Sequence, residues 1–239
     1  MKKIITLLLI LTTVISLAGC DKLFKAANVY TRYDVDADGN EIKVEVMHKH
    51  GDKNDIQIER FYHKDGWLEK EISYEDYYSG KIGYVMIFNE NGGKKEVDYY
   101  QEEGIHSHET YDEQGVLLTT HNYQNGTLQF IEEFYPSGNR SKCTSYTDPS
   151  LIYTIFYFAD VNDTVVTSQN SRWRDSNGQI CDQTDTYDIS GLQTKTEMKI
   201  TNEDGSFVAH YVDEYAGNEM FRTTHYDENG NVYDVVNHK

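Results

Sequence analysis

The chain has 239 residues, and 40 Asp and Glu against 22 Lys and Arg give it a formal net charge of −18 at pH 7. This balance argues against nucleic-acid binding, which needs clustered Lys and Arg to neutralise phosphate, and against attachment to anionic lipid through a basic segment. With 20 Tyr, 9 Phe and only two Pro, the composition is that of a folded chain, because disordered chains have few aromatics.

The N-terminus has the three parts of a secretory signal. Lys2 and Lys3 form a basic start, residues 4–15 are apolar except for threonines, and small residues lead up to Gly19. The apolar run is shorter than the roughly 20 residues that a membrane-spanning helix needs. Removal of this segment takes two lysines and no acid, so the net charge becomes −18 − 2 = −20.

The sequence Leu-Ala-Gly-Cys that ends at Cys20 resembles the lipobox of bacterial lipoproteins. The resemblance implies cleavage between Gly19 and Cys20 and attachment of diacylglycerol, which carries fatty acids such as palmitate, to the Cys20 thiol. Two or more acyl chains give a stable anchor, so we expect the protein on the extracytoplasmic face of a cell membrane. The alternative is an ordinary secreted protein. We predict a signal peptide at 1–19, a lipidated tether at 20–30 and one repeat domain at 31–239.

The first candidate site after the tether is an acidic loop. Its oxygen-bearing side chains follow the spacing of a calcium loop: Asp34, Asp36, Asp38, Asn40 and Glu45. Gly39 allows the sharp turn, and Glu45 is placed to bind a hard cation with both oxygens. Glu41 stands where a calcium loop has an apolar residue, so the alternative is a plain hairpin turn.

Two histidine pairs have spacing that places both imidazoles on one face of a strand. They are His48-x-His50 and His106-x-His108. Imidazole is a zinc ligand, but the sequence fixes no third ligand for either pair. The alternative is four exposed strand histidines.

Turn signals recur about every dozen residues. The glycines that mark them are Gly80, Gly92, Gly104, Gly115, Gly126 and Gly138, followed by Gly178, Gly191, Gly205, Gly217 and Gly230. Residues 227–230 predict a type I turn followed by a residue with positive φ, and Asn125-Gly126 predicts a two-residue hairpin. Strand-forming residues lie between these turns. We therefore predict an all-β fold, an antiparallel β-meander of about 14 strands built from hairpin repeats, either curled or two-layered.

The repeats resemble two known families. The segment from Tyr111 to Tyr146 is similar to the MORN-variant repeats of YwqK-type antitoxins, and Gly92, Gly115 and Gly138 are spaced by 23 residues, as in that two-strand repeat. The Tyr-Asp-x-x-Gly segments also resemble the YD repeats of Rhs-type proteins. The resemblance implies a hairpin array used for binding or as a scaffold, with no catalytic residues to carry over.

Cys143 and Cys181 remain once Cys20 is lipidated. An exported protein is in a compartment that permits a disulfide between them, and the alternative is two buried free thiols.

No nucleophile motif, phosphate loop or Cys-x-x-Cys is present in the sequence, and adjacent acids such as Glu132 and Glu133 point to opposite faces of a strand. We therefore predict no enzymatic activity and no cofactor, unless calcium binds the acidic loop. The predicted function is a non-enzymatic protein-binding or scaffold module with an unidentified protein partner and no nucleic acid. The alternatives are a glycan- or cell-wall-binding lipoprotein that uses exposed aromatics, and a carboxylate-based hydrolase.

Overall fold

The computed structural model of the chain describes residues 29–48, 55–102, 104–160 and 162–239. The predicted signal peptide, Cys20 and His50 lie outside the described residues. In the described part of the chain every element of regular secondary structure is a β-strand, and the strands pair antiparallel. This confirms the predicted all-β hairpin fold. Among the same residues there is no helix long and apolar enough to cross a membrane.

The described residues divide into two compact units at residue 102. The first unit contains β1 (Val29–Val35), β2 (Glu41–His48), β3 (Ile56–Tyr62), β4 (Leu68–Asp76), β5 (Lys81–Phe88) and β6 (Lys94–Gln101). From β1 to β6, consecutive strands of this unit pair antiparallel. A compact unit is not necessarily a separate domain, so the single domain predicted over residues 31–239 stays a prediction.

The second unit contains the remaining strands. They are β7 (Gly104–Tyr111), β8 (Leu117–Gln124), β9 (Thr127–Phe134), β10 (Arg140–Ser145), β11 (Tyr153–Ala159), β12 (Asn162–Arg174), β13 (Ile180–Tyr187), β14 (Gln193–Thr201), β15 (Phe207–Ala216), β16 (Glu219–Tyr226) and β17 (Val232–Asn237). The described part of the chain thus has 17 strands, more than the about 14 expected. The difference arises before Gly80, where the turn at Gly39, the β2–β3 connection and the turn at Gly66 add three strands.

The turns have the conformations that the sequence predicts. Gly230 has a φ of 81° and donates its N–H to the Asp227 carbonyl, and the Asp227 N–H donates to the Asn231 carbonyl. Asn125 and Gly126 have φ values of 52° and 71°, as a two-residue hairpin with two left-handed residues requires. The aspartate in Tyr-Asp-x-x-Gly has a role that the sequence did not reveal. Its Oδ1 accepts the backbone N–H groups two and four residues later, as in Asp227.

Each unit is built around its sheet and has little apolar core. Within each unit, the strands make extensive contacts only with the strands before and after them in the chain, so neither unit has a second layer among the described residues. The largest fully buried side chains among the described residues are those of Val44, Val46 and Val97. Polar side chains therefore occupy many of the buried positions along the middle of the strands, and their partners decide how the sheets are stabilised.

Candidate protein-binding surface

The last strand is the most exposed element of the second unit. All six residues of β17 are exposed, and four of them are apolar or aromatic: Val232, Tyr233, Val235 and Val236. Among the described residues, β17 pairs with β16 alone. Its outer edge therefore presents backbone N–H and C=O groups and apolar side chains together, which is a template for a further strand.

The side chains around this edge are mainly acidic. Asp234 lies on β17 itself, and Asp227 and Glu228 lie in the turn that leads into it. Arg222 on β16 is bound to Glu214, so its charge is already partnered. The edge thus combines backbone hydrogen-bonding groups and valines with an excess of negative charge, which suits a basic extended segment.

The first strand of the other unit is an edge of a different kind. β1 also has exposed apolar residues, but its Arg32 donates to Glu59 on β3 at 2.6 Å, and Tyr30 stacks on His48 with ring centroids 5.1 Å apart. β1 is therefore attached to its unit by side chains as well as by backbone. The exposed side chains of β17 have fewer such attachments, of which the Tyr233 ring near His225 is one.

A buried carboxylate network lies beneath β1. Glu59 is 5% exposed, and its second oxygen accepts the Tyr74 hydroxyl at 2.7 Å. Burial and this hydrogen bond raise the pKa of Tyr74 well above its usual value. The carboxylate of Glu59 thus has a cation on one oxygen and a phenol on the other, so it is fully committed to holding β1, β3 and β4 together.

The same arrangement recurs on neighbouring strands. Glu71 accepts Arg60 Nε and the Tyr84 hydroxyl, both at 2.6 Å. The pKa of Tyr84 is raised to about 12, mainly by burial and to a lesser extent by its hydrogen bond to Glu71. Both carboxylate oxygens of Glu71 are thus engaged in contacts that connect β3, β4 and β5.

In the second unit, the buried carboxylate of Asp185 is hydrogen-bonded by neutral donors and has no cationic partner among the described residues. Asp185 is 7% exposed and accepts the Thr196 hydroxyl at 2.6 Å and the side-chain amides of Gln193 and Gln183 at 2.9 and 2.7 Å. Neutral donors surround this carboxylate, whereas Arg and Tyr surround those of the first unit. The contacts again account for both oxygens, and they connect β13 to β14.

Among the described acids of the second unit, Glu197 has the pKa that departs most from its usual value. Its carboxylate lies 3.0 Å from Lys195 Nζ, 2.9 Å from Lys199 Nζ and 3.1 Å from His210 Nε2. Partial burial works to raise its pKa, but the hydrogen bonds and charges of the two lysines outweigh burial and lower the pKa to about 2. This cluster is a local charge balance in an acidic chain.

The five predicted calcium ligands do not converge in the structure. Asp34 accepts Arg32, Asp36 closes its own turn by accepting the N–H groups of Asp38 and Asn40, and Glu45 is held by Lys43 at 2.6 Å and Tyr62 at 2.7 Å. In the described ranges, no group of three or more His, Cys, Asp or Glu is arranged to hold a metal ion. Calcium binding at this loop stays a prediction.

The two cysteines are buried and free. Cys143 lies on β10 and Cys181 on β13, and burial is the main cause that raises the pKa of each thiol. Three strand spacings of about 4.8 Å separate these strands in a meander, more than the about 7 Å between Cα atoms that a disulfide spans. The structure thus places the thiols apart.

The histidine pairs are also separated in part. His48 is 7% exposed, and neither of its ring nitrogens has a hydrogen-bond partner among the described residues. His106 is exposed on β7. His108 lies opposite His121 on β8, a partner that sequence spacing did not reveal because it depends on the strand register.

Comparison with known proteins leaves the function open. No family model matches the chain. No curated protein matches it either. A solved glycosylation-associated protein complex from Streptococcus agalactiae matches with a TM-score of 0.31 and 20% identity, over 42% of this chain and 18% of that chain. A porin-like protein from Bacteroides uniformis matches with a TM-score of 0.26 and 10% identity, over 81% and 92% of the two chains. Function must therefore be argued from the chain's own residues.

Proposed function

We propose that the chain is a membrane-anchored extracytoplasmic lipoprotein that acts as a non-enzymatic protein-binding or scaffold module. The observation that carries this proposal is β17, an exposed and largely apolar strand with one partner strand. Strand addition to such an edge is a common mode of peptide recognition, in which backbone hydrogen bonds give affinity and alternate side chains give specificity.

The proposed partner is a protein with an extended, basic segment. Asp234, Asp227 and Glu228 surround the edge, and the whole chain has a net charge of −18, so an acidic partner would be repelled. Backbone pairing with β17 would cover Val235 and its neighbours. The resemblance of the repeats to those of hairpin-repeat antitoxins also supports a binding role.

The proposed anchor is tested by lipid labelling in the native cell. A labelled fatty acid should be incorporated into the full chain, and Cys20→Ser should abolish labelling and release the protein from the membrane. Retention of label by Cys20→Ser would contradict the anchor without touching the binding proposal.

The proposed binding edge is tested by site-specific photo-crosslinking in the same cells. Tyr233 on β17 and Tyr78 in the β4–β5 turn are both 67% exposed, so they are matched positions for the crosslinker. We expect one discrete protein adduct from position 233 and none from position 78. Val235→Lys places a charge on the edge and should abolish the adduct, whereas Val35→Lys on β1 should leave it.

The outcomes separate the remaining functions. Equal adducts from the two tyrosines, or an adduct that survives Val235→Lys, would show that β17 is not the binding edge. Cell-wall fragments in place of a protein at position 233 would favour the glycan-binding alternative.

A further inference from the structure

Two histidines face each other in the first hairpin of the second unit. His108 on β7 and His121 on β8 are directly opposite in the antiparallel register, and their ring centroids are 5.8 Å apart at an angle of 57°. The hydroxyls of Thr110 and Thr119, the next pair on the same face, are hydrogen-bonded at 2.7 Å. This contact fixes the register, so the two imidazoles are held close together by the hairpin.

The spacing of these rings suits a shared metal ion. A Zn²⁺ ion bound to one nitrogen of each imidazole at about 2.0–2.1 Å holds the two ring centroids about 5–6 Å apart. The observed 5.8 Å falls in this range. Imidazole nitrogen suits Zn²⁺, Cu²⁺ and Ni²⁺, whereas Ca²⁺ and Mg²⁺ prefer oxygen ligands.

The electrostatics of the pair work in the same direction. Burial lowers the pKa of His121, and a positive charge on His108 lowers it further. A metal ligand must be a neutral imidazole. A lowered pKa favours the neutral form of His121, which is the form that binds a metal ion.

We propose that His108 and His121 form a two-histidine site for a divalent transition-metal ion of the Zn²⁺ class. In the described part of the chain no group of three or more His, Cys, Asp or Glu is arranged to hold a metal ion, so we expect water or another molecule to supply the remaining ligands. The site lies on β7 and β8 and is independent of the proposed binding at β17.

The test is Zn²⁺ titration of the full chain without a histidine tag, in detergent micelles, followed by calorimetry. His108→Gln and His121→Gln should each lower the affinity about tenfold or more, because each leaves one ligand and removes the effective concentration of the second. The double variant should be no weaker than the weaker single variant, since the two residues act as one chelate. His225→Gln is the matched control, because His225 lies beside Tyr211 and Tyr233 and should leave the affinity unchanged.

The competing ions and the pH give further readouts. A large excess of Mg²⁺ should not displace Zn²⁺, and affinity should fall below about pH 6.5, where imidazole is protonated. Circular dichroism of the metal-free variants checks that the hairpin still forms. The site is disproved when folded His108→Gln and His121→Gln bind Zn²⁺ as tightly as His225→Gln.

Discussion

The two units stabilise buried carboxylates in different ways. The first unit surrounds Glu59 with Arg32 and Tyr74, and it repeats the arrangement at Glu71. The second unit surrounds Asp185 with a threonine hydroxyl and glutamine amides. The first solution joins full charges, and the second joins one charge to neutral donors, so substitution and pH should act on the two units differently.

Side-chain length accounts for the difference. Glu59 stands opposite Val46 and Ile72, which offer no polar atoms, so its carboxylate reaches Arg32 and Tyr74 on positions that are not directly opposite. Glutamate, arginine and tyrosine are long enough to make these diagonal contacts.

The side chain of Asp185 is shorter than that of Glu59, and Asp185 on β13 stands directly opposite Thr196 on β14. Asp213 on β15 likewise stands between two threonines, opposite Thr196 on β14 and opposite Thr223 on β16. Short acids and short hydroxyls meet only when the register places them opposite each other. The contact of Asp185 with Thr196 therefore depends on register, and the contacts of Glu59 with Arg32 and Tyr74 depend on reach.

The chain offers a separate probe for each unit. It has two tryptophans, Trp67 in the first unit and Trp173 in the second. Variants that keep one tryptophan and replace the other with phenylalanine report unfolding of each unit by fluorescence. The following predictions are measured in these two backgrounds.

The largest effect is expected from Arg32→Met. The change leaves the Glu59 carboxylate buried with only the Tyr74 hydroxyl, and loss of one member of a buried pair is strongly destabilising. Because 34% of the Arg32 side chain is exposed, we expect about 2–3 kcal/mol, less than for a fully buried pair. Urea denaturation followed at Trp67 measures it.

The control for Arg32→Met is Arg222→Met, which breaks an exposed ion pair with Glu214 in the second unit. We expect little or no change in stability at Trp173, because an exposed ion pair contributes little. Equal effects of the two substitutions would mean that burial of Glu59 adds nothing to its ion pair.

The next effect is expected from Asp185→Asn. The amide would replace one accepting oxygen with an N–H donor that faces the donor of Gln183 or those of Thr196 and Gln193. We expect a loss of about 1–2 kcal/mol at Trp173, the typical result of leaving buried polar groups unsatisfied. Thr196→Ser alone keeps the hydroxyl that donates to Asp185 and should retain most of the stability. A loss as large for Thr196→Ser as for Asp185→Asn would contradict the hydroxyl–carboxylate contact.

The sequence predicted the parts of this fold that depend on local chemistry. The turn glycines have the positive φ that their positions require, and Gly230 and Gly126 end hairpins where the sequence placed them. The partners of Glu59 and His108 were not predictable. Arg32 is 27 residues from Glu59, and His121 meets His108 only because of the register between β7 and β8. A one-residue change in register would move every side chain of a strand to the other face, and local patterns do not specify register to that accuracy.

The acid limb of the second unit's stability should depend on Glu197. The folded pKa of Glu197 is about 2 against 4.5 unfolded, so its contribution is complete above pH 4.5 and is lost as the pH falls toward 2. After allowance for solvent screening, we expect about 1 kcal/mol. Glu197→Gln should flatten this part of the pH profile at Trp173 and leave the profile at Trp67 unchanged. An unchanged slope at Trp173 would refute the assignment.

Tyr62 should contribute to the alkaline limb of the first unit's stability, with the smallest effect. Burial, followed by the hydrogen bond to Glu45, raises the pKa of Tyr62 from 10.0 to about 12, so its contribution is complete below pH 10 and is lost as the pH rises toward 12. Tyr62→Phe removes the ionisable hydroxyl, and we expect about 0.5 kcal/mol less alkaline destabilisation at Trp67, because the site is partly exposed to solvent. Tyr33→Phe on β1 changes a well-exposed phenol and is the control. If both substitutions alter the alkaline limb equally, the Tyr62–Glu45 contact does not carry the effect. If only Tyr62→Phe alters it, the pairing of Tyr62 with Glu45 contributes to the sensitivity of the first unit to base.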